Sequence, residues 1–250
     1  MNLSISHHRF PYFRQAVPFC IVLALAFALK RYYSLAEVDS LVWILAPTAR
    51  LVGFATGIPF AFEHGTGFVN LDHRVVIAPA CAGINFIIIV FCMIGFSLIS
   101  RSKNERTQLL VILAAFCAAY FLTIAVNALR ISLAVYLYDT NFHFGWLTRE
   151  RIHRLEGTLV YFVCLCGIYS LINCRLFRQD WTMVRRVMVP AAWYLAMTLA
   201  VPVILGKFSV YGWQLVEHGM SVLAIPVIFV LVFWIIKYAG KKDRIQAIEP

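Results

Sequence analysis

Long apolar runs are the feature that most constrains the fold of this chain. A helix that crosses the hydrocarbon core of a bilayer needs about 20 mostly apolar residues. In lipid, only helices and closed barrels satisfy every backbone hydrogen bond, and long runs without alternation favour helices over a barrel. The sequence predicts spans at approximately 17–33, 79–99, 109–129, 157–173, 187–205 and 220–238.

The composition indicates the same class of protein. Hydrophobic residues make up 62% of the 250-residue chain and charged residues 14%, against about 25% charged residues in a soluble domain. Disorder requires low hydrophobicity and high charge, and a soluble domain needs more polar surface over its core. We predict an all-α, multi-pass integral membrane helical bundle with about six transmembrane helices. It forms a single domain over 1–250, with a motif-bearing core at about 35–173.

The stretch 41–62 is long enough to span but contains several residues that disfavour a spanning helix. An arginine at mid-bilayer costs at least ~2.5 kcal/mol, and prolines weaken a helix further. We predict an interfacial or re-entrant helix, and a broken spanning helix is the alternative. The interrupting residues are Pro47, Arg50, Gly53, Gly57 and Pro59.

The net charge of +10 predicts the orientation. Cytoplasmic loops of membrane proteins carry an excess of Lys and Arg. With both termini and two basic linkers inside, the cytoplasm receives 13 Lys and Arg against 4 acidic residues, which is +9 of the +10. The linkers are 100–108 and 174–186, and the basic tail begins at Lys237. The excess of Lys and Arg therefore indicates how the chain is oriented in the plasma (inner) membrane. We expect the lipid bilayer, and not nucleic acid, as a partner.

This orientation brings three polar segments to the extracytoplasmic side: 63–85, 127–130 and 139–156. Cys81, Arg130 and His153 then lie near the outer interface, at the ends of three successive spans. The three residues are the first candidates for a functional site on this face.

Cys81 differs from the other six cysteines, which lie in spans or at a cytoplasmic end. It follows Ala78-Pro79-Ala80, and proline is common at the first position of a helix. The positive end of a helix dipole favours the reactive thiolate. The alternative is an inert cysteine that only packs as a small hydrophobe. The chain has no CxxC pair, which argues against a zinc ribbon or a thioredoxin-type motif.

Arg130 and His153 are candidate partners of the thiol. Apolar residues flank Arg130 on both sides, so its charge requires an anionic partner unless it snorkels to the interface. Asn127 lies one helical turn earlier on the same face. His153 would supply a general base and acid near neutral pH, and its rivals outside are His64, His73 and His143. Such a set could perform acyl transfer through a thioester. The sequence predicts no metal site, since no i, i+4 pair of His or acidic residues lies within a predicted span, and it gives no sign of a cofactor.

These residues resemble the motifs of a known family over roughly 35–170. Ala78-Pro79-Ala80-Cys81-Ala82-Gly83 resembles the Cys-Ser-Gly signature of exosortases and archaeosortases. Asn127-Ala128-Leu129-Arg130 resembles their Asn-x-x-Arg motif, and His153-x-x-x-Gly157 resembles the histidine motif of bacterial exosortases. The sequence Ala-Cys-Ala-Gly-Ile-Asn-Phe is most similar to the exosortase K branch. Two positions depart from the pattern, because Ala82 replaces the usual serine and Asn85 occupies a position that is often basic.

The resemblance implies a membrane cysteine protease-transpeptidase that processes exported proteins carrying a C-terminal sorting signal. Such a signal has a short motif such as Pro-Glu-Pro, a transmembrane helix and a basic cluster. Cys81 would be the nucleophile, Arg130 the stabiliser of the thiolate or oxyanion, and His153 the proton shuttle. Asn85, one helical turn from Cys81, and Asn127 are weaker candidates for substrate or oxyanion contacts.

Two other classes of protein remain open from the sequence. One is a transporter or channel for an anionic solute, in which Arg130 and Arg50 bind the anion. The lack of an internal inverted repeat argues against it. The other is a non-catalytic scaffold for envelope assembly, with Cys81 inert.

Overall fold

The computed structural model describes residues 11–102, 104–139, 148–176 and 183–201, with a few short stretches between 219 and 232. The described part is mostly helical, as predicted. Its helices are α1 (Pro11–Leu35), α2 (Val42–Thr56), α3 (Ile84–Ile99), α4 (Glu105–Asp139), α5 (Arg149–Leu171) and α6 (Met183–Leu195), and its strands are β1 (Ala61–Glu63), β2 (Gly67–Asn70) and β3 (Val75–Ile77). Short 3-10 turns at Val38–Leu41 and Pro79–Cys81 precede α2 and α3, and π-helical turns follow α5 and α6 at Ile172–Leu176 and Ala196–Ala200.

Five described helices are long and apolar enough to cross a membrane, which confirms a multi-pass helical membrane protein. They are Ala16–Leu35, Val38–Thr56, Pro79–Ile99, Glu105–Tyr138 and Arg151–Cys174. The predicted span 187–205 is helical as far as the description reaches, through α6 and the turn that follows it. Most of the predicted span 220–238 lies outside the described residues.

The chain divides into two compact units, 1–128 and 129–250. In the first unit, α1 and α3 run antiparallel. The rings of Phe19 and Phe96 stack with centroids 4.6 Å apart, and at the other end of the pair the Tyr33 hydroxyl donates to the carbonyl of Pro79. Gly95 permits the close approach between them, because a Cβ there would lie 3.3 Å from Val22. Small residues have this role in membrane helix packing.

The residues between α1 and α3 form a second layer of the same unit. The three strands make an antiparallel sheet in the order β1-β2-β3, in which Phe62 pairs with Phe68 and Val69 with Val76. The sheet packs on α2 through β2. The Asn70 amide donates to the carbonyl of Pro59 at 2.6 Å and secures the chain that leaves α2.

This arrangement bears on whether α2 crosses the membrane. The end of α1 meets the start of α3, so a chain crossing along both helices must return to one side between residues 36 and 78. If α2 crossed the membrane once, the chain would reach the start of α3 on the side opposite to the end of α1. Open sheet edges are also not tolerated in lipid. Val38–Thr56 is nevertheless long and apolar enough to span, so the interfacial or re-entrant placement stays a prediction.

Three boundaries differ from the sequence-based expectation. The helix predicted from residue 79 begins only at Ile84, because a 3-10 turn precedes it. The helix predicted to end at 129 continues to Asp139, since the apolar residues after Arg130 extend it. The segment around His153, predicted as a loop, is already helical from Arg149.

Candidate active site

Cys81 ends a 3-10 turn that begins at Pro79. The Cys81 amide donates to the carbonyl of Ala78 at 2.8 Å, and the Ala82 amide donates to that of Pro79 at 2.9 Å. Gly83 follows in the left-handed region with a φ of 68° and caps α3. The turn presents a partly exposed free thiol just before the strongly apolar helix α3.

Side chains from two other helices hold this turn. The Tyr33 hydroxyl of α1 donates to the carbonyl of Pro79 at 3.1 Å. The Asn127 amide of α4, which is fully buried, donates to the carbonyl of Cys81 itself. The backbone of the predicted nucleophile is thus fixed from both sides.

Gly83 allows α4 to approach the turn this closely. A Cβ at Gly83 would lie 3.0 Å from Cγ2 of Thr123 and 3.3 Å from Cγ of Asn127. A positive φ is also unfavourable for residues that carry a Cβ. Both the backbone conformation and the available space therefore require glycine next to the cysteine.

The structure places Asn127 and Asn85 differently from the simple helical expectation. Asn127 contacts the backbone of the Cys81 turn, which makes it a positioning residue in this structure. The left-handed Gly83 interrupts the helix between Cys81 and Asn85, so the i, i+4 argument for a shared face no longer applies. The Asn85 side-chain oxygen accepts a hydrogen bond from the Lys30 ammonium at 2.6 Å. Lys30 of α1 thus brings a positive charge to Asn85, a position that is often basic in the family that the sequence resembles.

The second unit holds the other two predicted residues. The Arg130 guanidinium lies over the ring of Tyr161, 5.2 Å from its centroid, at a distance typical of a cation–π contact. Its side chain passes over Gly157, where a Cβ would lie 3.4 Å from the Arg130 Cδ. Gly157 therefore provides the space in which the arginine packs.

His153 lies in the first turns of α5, whose N-terminus is capped by the Thr148 hydroxyl. The His153 side chain is about half exposed, and its Nδ1 lies 3.9 Å from Oε2 of Glu156. Glu156 is only 7% exposed, and Arg130 interacts electrostatically with both residues. The structure thus gathers Arg130, His153 and Glu156 within one unit.

Glu156 is the residue that the sequence analysis missed. The sequence predicts only a polar segment over 139–156, in which an acidic residue needs no explanation. On a helix, a carboxylate three residues after a histidine lies on the same face. The i, i+3 spacing of His153 and Glu156 was therefore the signal that could have identified the pair.

The rival histidines have other surroundings. The Nδ1 of His64 lies 3.1 Å from Oδ2 of Asp39, and Asp39 also accepts from the amide of Gly65, so this pair secures the β1–β2 turn. His73 contributes its backbone amide to Asn70, and His143 lies outside the described residues. Among the residues that the structure describes, no group of His, Cys, Asp and Glu could hold a metal ion.

The fold and these side chains define a class of protein: a multi-pass helical membrane protein with a thiol on a fixed turn and an Arg–His–Glu cluster. A family model described as transmembrane exosortase (Exosortase_EpsH) matches residues 9–170. The chain belongs to the exosortase family, a family of membrane cysteine peptidase-transpeptidases. No curated protein and no solved structure matches the chain.

Proposed function

We propose that this protein is a membrane-embedded cysteine protease-transpeptidase that cleaves C-terminal sorting signals from exported proteins. Its substrates carry a Pro-Glu-Pro-like motif followed by a transmembrane helix, and they reach the enzyme laterally through the bilayer. Cleavage takes place at the extracytoplasmic face of the plasma (inner) membrane. The sequence around Cys81 supports a further proposal, that the protein belongs to a branch similar to exosortase K.

The proposed reaction begins when His153 takes the proton of the Cys81 thiol. The thiolate then attacks the carbonyl carbon of the scissile peptide bond. Arg130 stabilises the oxyanion that forms. Collapse of this intermediate breaks the C–N bond, and His153 gives its proton to the leaving amine, which departs with the substrate's transmembrane helix. The remaining thioester is released by water, an amine or a lipid hydroxyl.

The observation that carries the proposal is the way in which the Cys81 turn is held. Tyr33 and Asn127 donate to the carbonyls on either side of Ala80, and Gly83 brings α4 against the turn. A cysteine that only fills space does not need its backbone fixed by two helices. Preorganised backbone around a reactive group is what nucleophilic catalysis requires.

The test uses a co-expressed protein that ends in a Pro-Glu-Pro-like motif, an apolar helix and a basic cluster. Its processing is measured as a change in size on a gel. We expect Cys81→Ala and Cys81→Ser to abolish processing, because neither side chain supplies a thiolate. The matched control is Cys92→Ala, since Cys92 lies in α3, the helix that follows the Cys81 turn, and is fully buried. This control should process the substrate at nearly the wild-type rate, and unchanged processing by Cys81→Ala would refute the proposal.

A further inference from the structure

Glu156 is a buried carboxylate on a helix of membrane-spanning length. Its side chain is 5% exposed, and both of its oxygens are buried without a hydrogen-bond partner among the described residues. Acidic residues within a span are costly and mark functional sites by default. A purely structural role would be served better by a carboxylate with satisfied hydrogen bonds.

The groups around Glu156 come from three helices. His153 of the same helix places its Nδ1 3.9 Å from Oε2. Arg130 of α4 interacts with the carboxylate electrostatically, and its own Nε is buried without a hydrogen-bond partner in the described part of the chain. From α6, Tyr194 is hydrogen-bonded to Thr158 and also interacts with Arg130. Glu156 is therefore the acid of a cluster that otherwise contains an arginine, a histidine and a tyrosine.

The geometry between Glu156 and His153 is directional. The carboxylate is buried, whereas the imidazole is about half exposed, so the ring is approached from its inner side at Nδ1. The separation of 3.9 Å is longer than a hydrogen bond, but a shift of this exposed ring by about 1 Å would bring Nδ1 into contact with the carboxylate, which would place the proton on Nδ1 and leave Nε2 as the reactive nitrogen. The carboxylate also stabilises the imidazolium that forms when the ring takes a proton.

We propose that Glu156 is the positioning residue of His153, so that the catalytic set is a Cys–His–Glu arrangement supplemented by Arg130. This inference rests on the proposed function, because it assigns Glu156 a role through the proton shuttle of that reaction. Arg130 interacts electrostatically with both Glu156 and His153, so its charge acts on the same pair.

Two readouts test the inference. The first is processing of a sorting-signal substrate, with kcat and KM measured separately. The second is the alkylation rate of Cys81 by a small thiol reagent, followed by mass spectrometry of the Cys81 peptide, which requires no substrate and reports thiolate formation. Rates are normalised to the amount of folded protein, so that a loss of abundance is not counted as a loss of activity.

We expect Glu156→Gln to lower kcat by about 10- to 100-fold, less than the ~10²–10⁴-fold that acid–base catalysis itself contributes because His153 remains present, with KM nearly unchanged. Glu156→Asp retains the charge and should recover part of the rate. If Glu156 acts through the histidine, Glu156→Gln slows Cys81 alkylation in the wild-type background but not in the His153→Ala background. Such non-additivity is typical of residues that act as one unit.

Wild-type kcat and alkylation in Glu156→Gln would overturn the inference, as would an equal loss in the two backgrounds. Either result leaves the proposed function standing as long as Cys81→Ala abolishes processing. Conversely, processing by Cys81→Ala would refute the proposed function whatever the Glu156 variants do. Failure of the two proposals is therefore distinguishable.

Discussion

Gly83 determines how closely the thiol-bearing turn approaches α4. Gly57, at the end of α2, has almost the same left-handed backbone, with φ of 74° against 68°, but a Cβ there would meet nothing within 4 Å. A comparison of substitutions at the two glycines therefore distinguishes the effect of backbone strain from the effect of crowding. The left-handed conformation costs a residue with a Cβ about 1–2 kcal/mol, and overpacking costs typically another 1–3 kcal/mol.

We predict that Gly83→Ala strongly reduces processing and lowers the thermal unfolding midpoint in detergent, because the added Cβ displaces Thr123 or Asn127 from the turn. Gly57→Ala introduces only the backbone strain. It should lower the midpoint less and leave processing nearly intact. Equal effects of the two substitutions would show that the close contact with α4 has no importance for the Cys81 turn.

At the residue scale, the sequence predicted the candidates Cys81, Arg130 and His153 because each is chemically unusual beside an apolar run. It could not predict what each one contacts. The bond between the Asn127 amide and the Cys81 carbonyl joins residues 46 positions apart, and no local pattern encodes it. Glu156 was missed for a different reason, since its burial depends on where α5 begins and on the neighbouring helices.

At the scale of the helix, the interface between α1 and α3 depends on Gly95, which is buried against Val22. Gly167 of α5 provides a matched comparison, because it is exposed and a Cβ there would meet nothing within 4 Å. Both glycines lie inside helices, where replacement by leucine gains nearly 1 kcal/mol in helix propensity.

We predict that Gly95→Leu lowers the thermal unfolding midpoint, because the larger side chain separates α1 from α3 and overcomes the gain in propensity. Gly167→Leu should leave the midpoint unchanged or raise it. Thermal unfolding in detergent, monitored by circular dichroism, gives both values. If Gly95→Leu were as stable as Gly167→Leu, the close packing of α1 on α3 would be wrong.

Helix boundaries were the least accurate part of the sequence-based prediction. In a chain this apolar, periodicity does not distinguish a span from its extension. The predicted end of α4 at 129 was therefore a hydropathy boundary and not a helix end.

With 35 residues and a rise of about 1.5 Å per residue, α4 is ~52 Å long, against ~30 Å of hydrocarbon. Asn127 follows Glu105 by ~33 Å of helix, so it still lies about one bilayer thickness from the start of α4.

For the whole molecule, the sequence predicted the class of fold correctly, and the structure adds a constraint on topology. The pairing of α1 with α3 requires that residues 36–78 leave from and return to one side of the membrane. The charge pattern independently predicts that the linker after α3 lies on the other side, in the cytoplasm. The short sheet could not be predicted, because its strands have only three or four residues each.

We predict that Glu37→Cys and Leu71→Cys, each introduced into a variant without its native cysteines, are labelled by a membrane-impermeant thiol reagent added outside intact cells. Arg101→Cys should react only after the membrane is permeabilised. All three native side chains are exposed, so differences in labelling report the side of the membrane. Labelling of Glu37→Cys and Leu71→Cys from opposite sides would show that α2 crosses.

The bond between Asn127 and Cys81 also has a consequence for biosynthesis. Ribosomes add about 5–20 residues per second, so Asn127 emerges roughly 2–9 s after Cys81. A nascent chain that ends within α3 already exposes the thiol but lacks the amide that holds its carbonyl. The Cys81 turn is therefore completed only when α4 has entered the membrane, and a chain truncated before that point carries Cys81 without the contact that fixes its backbone.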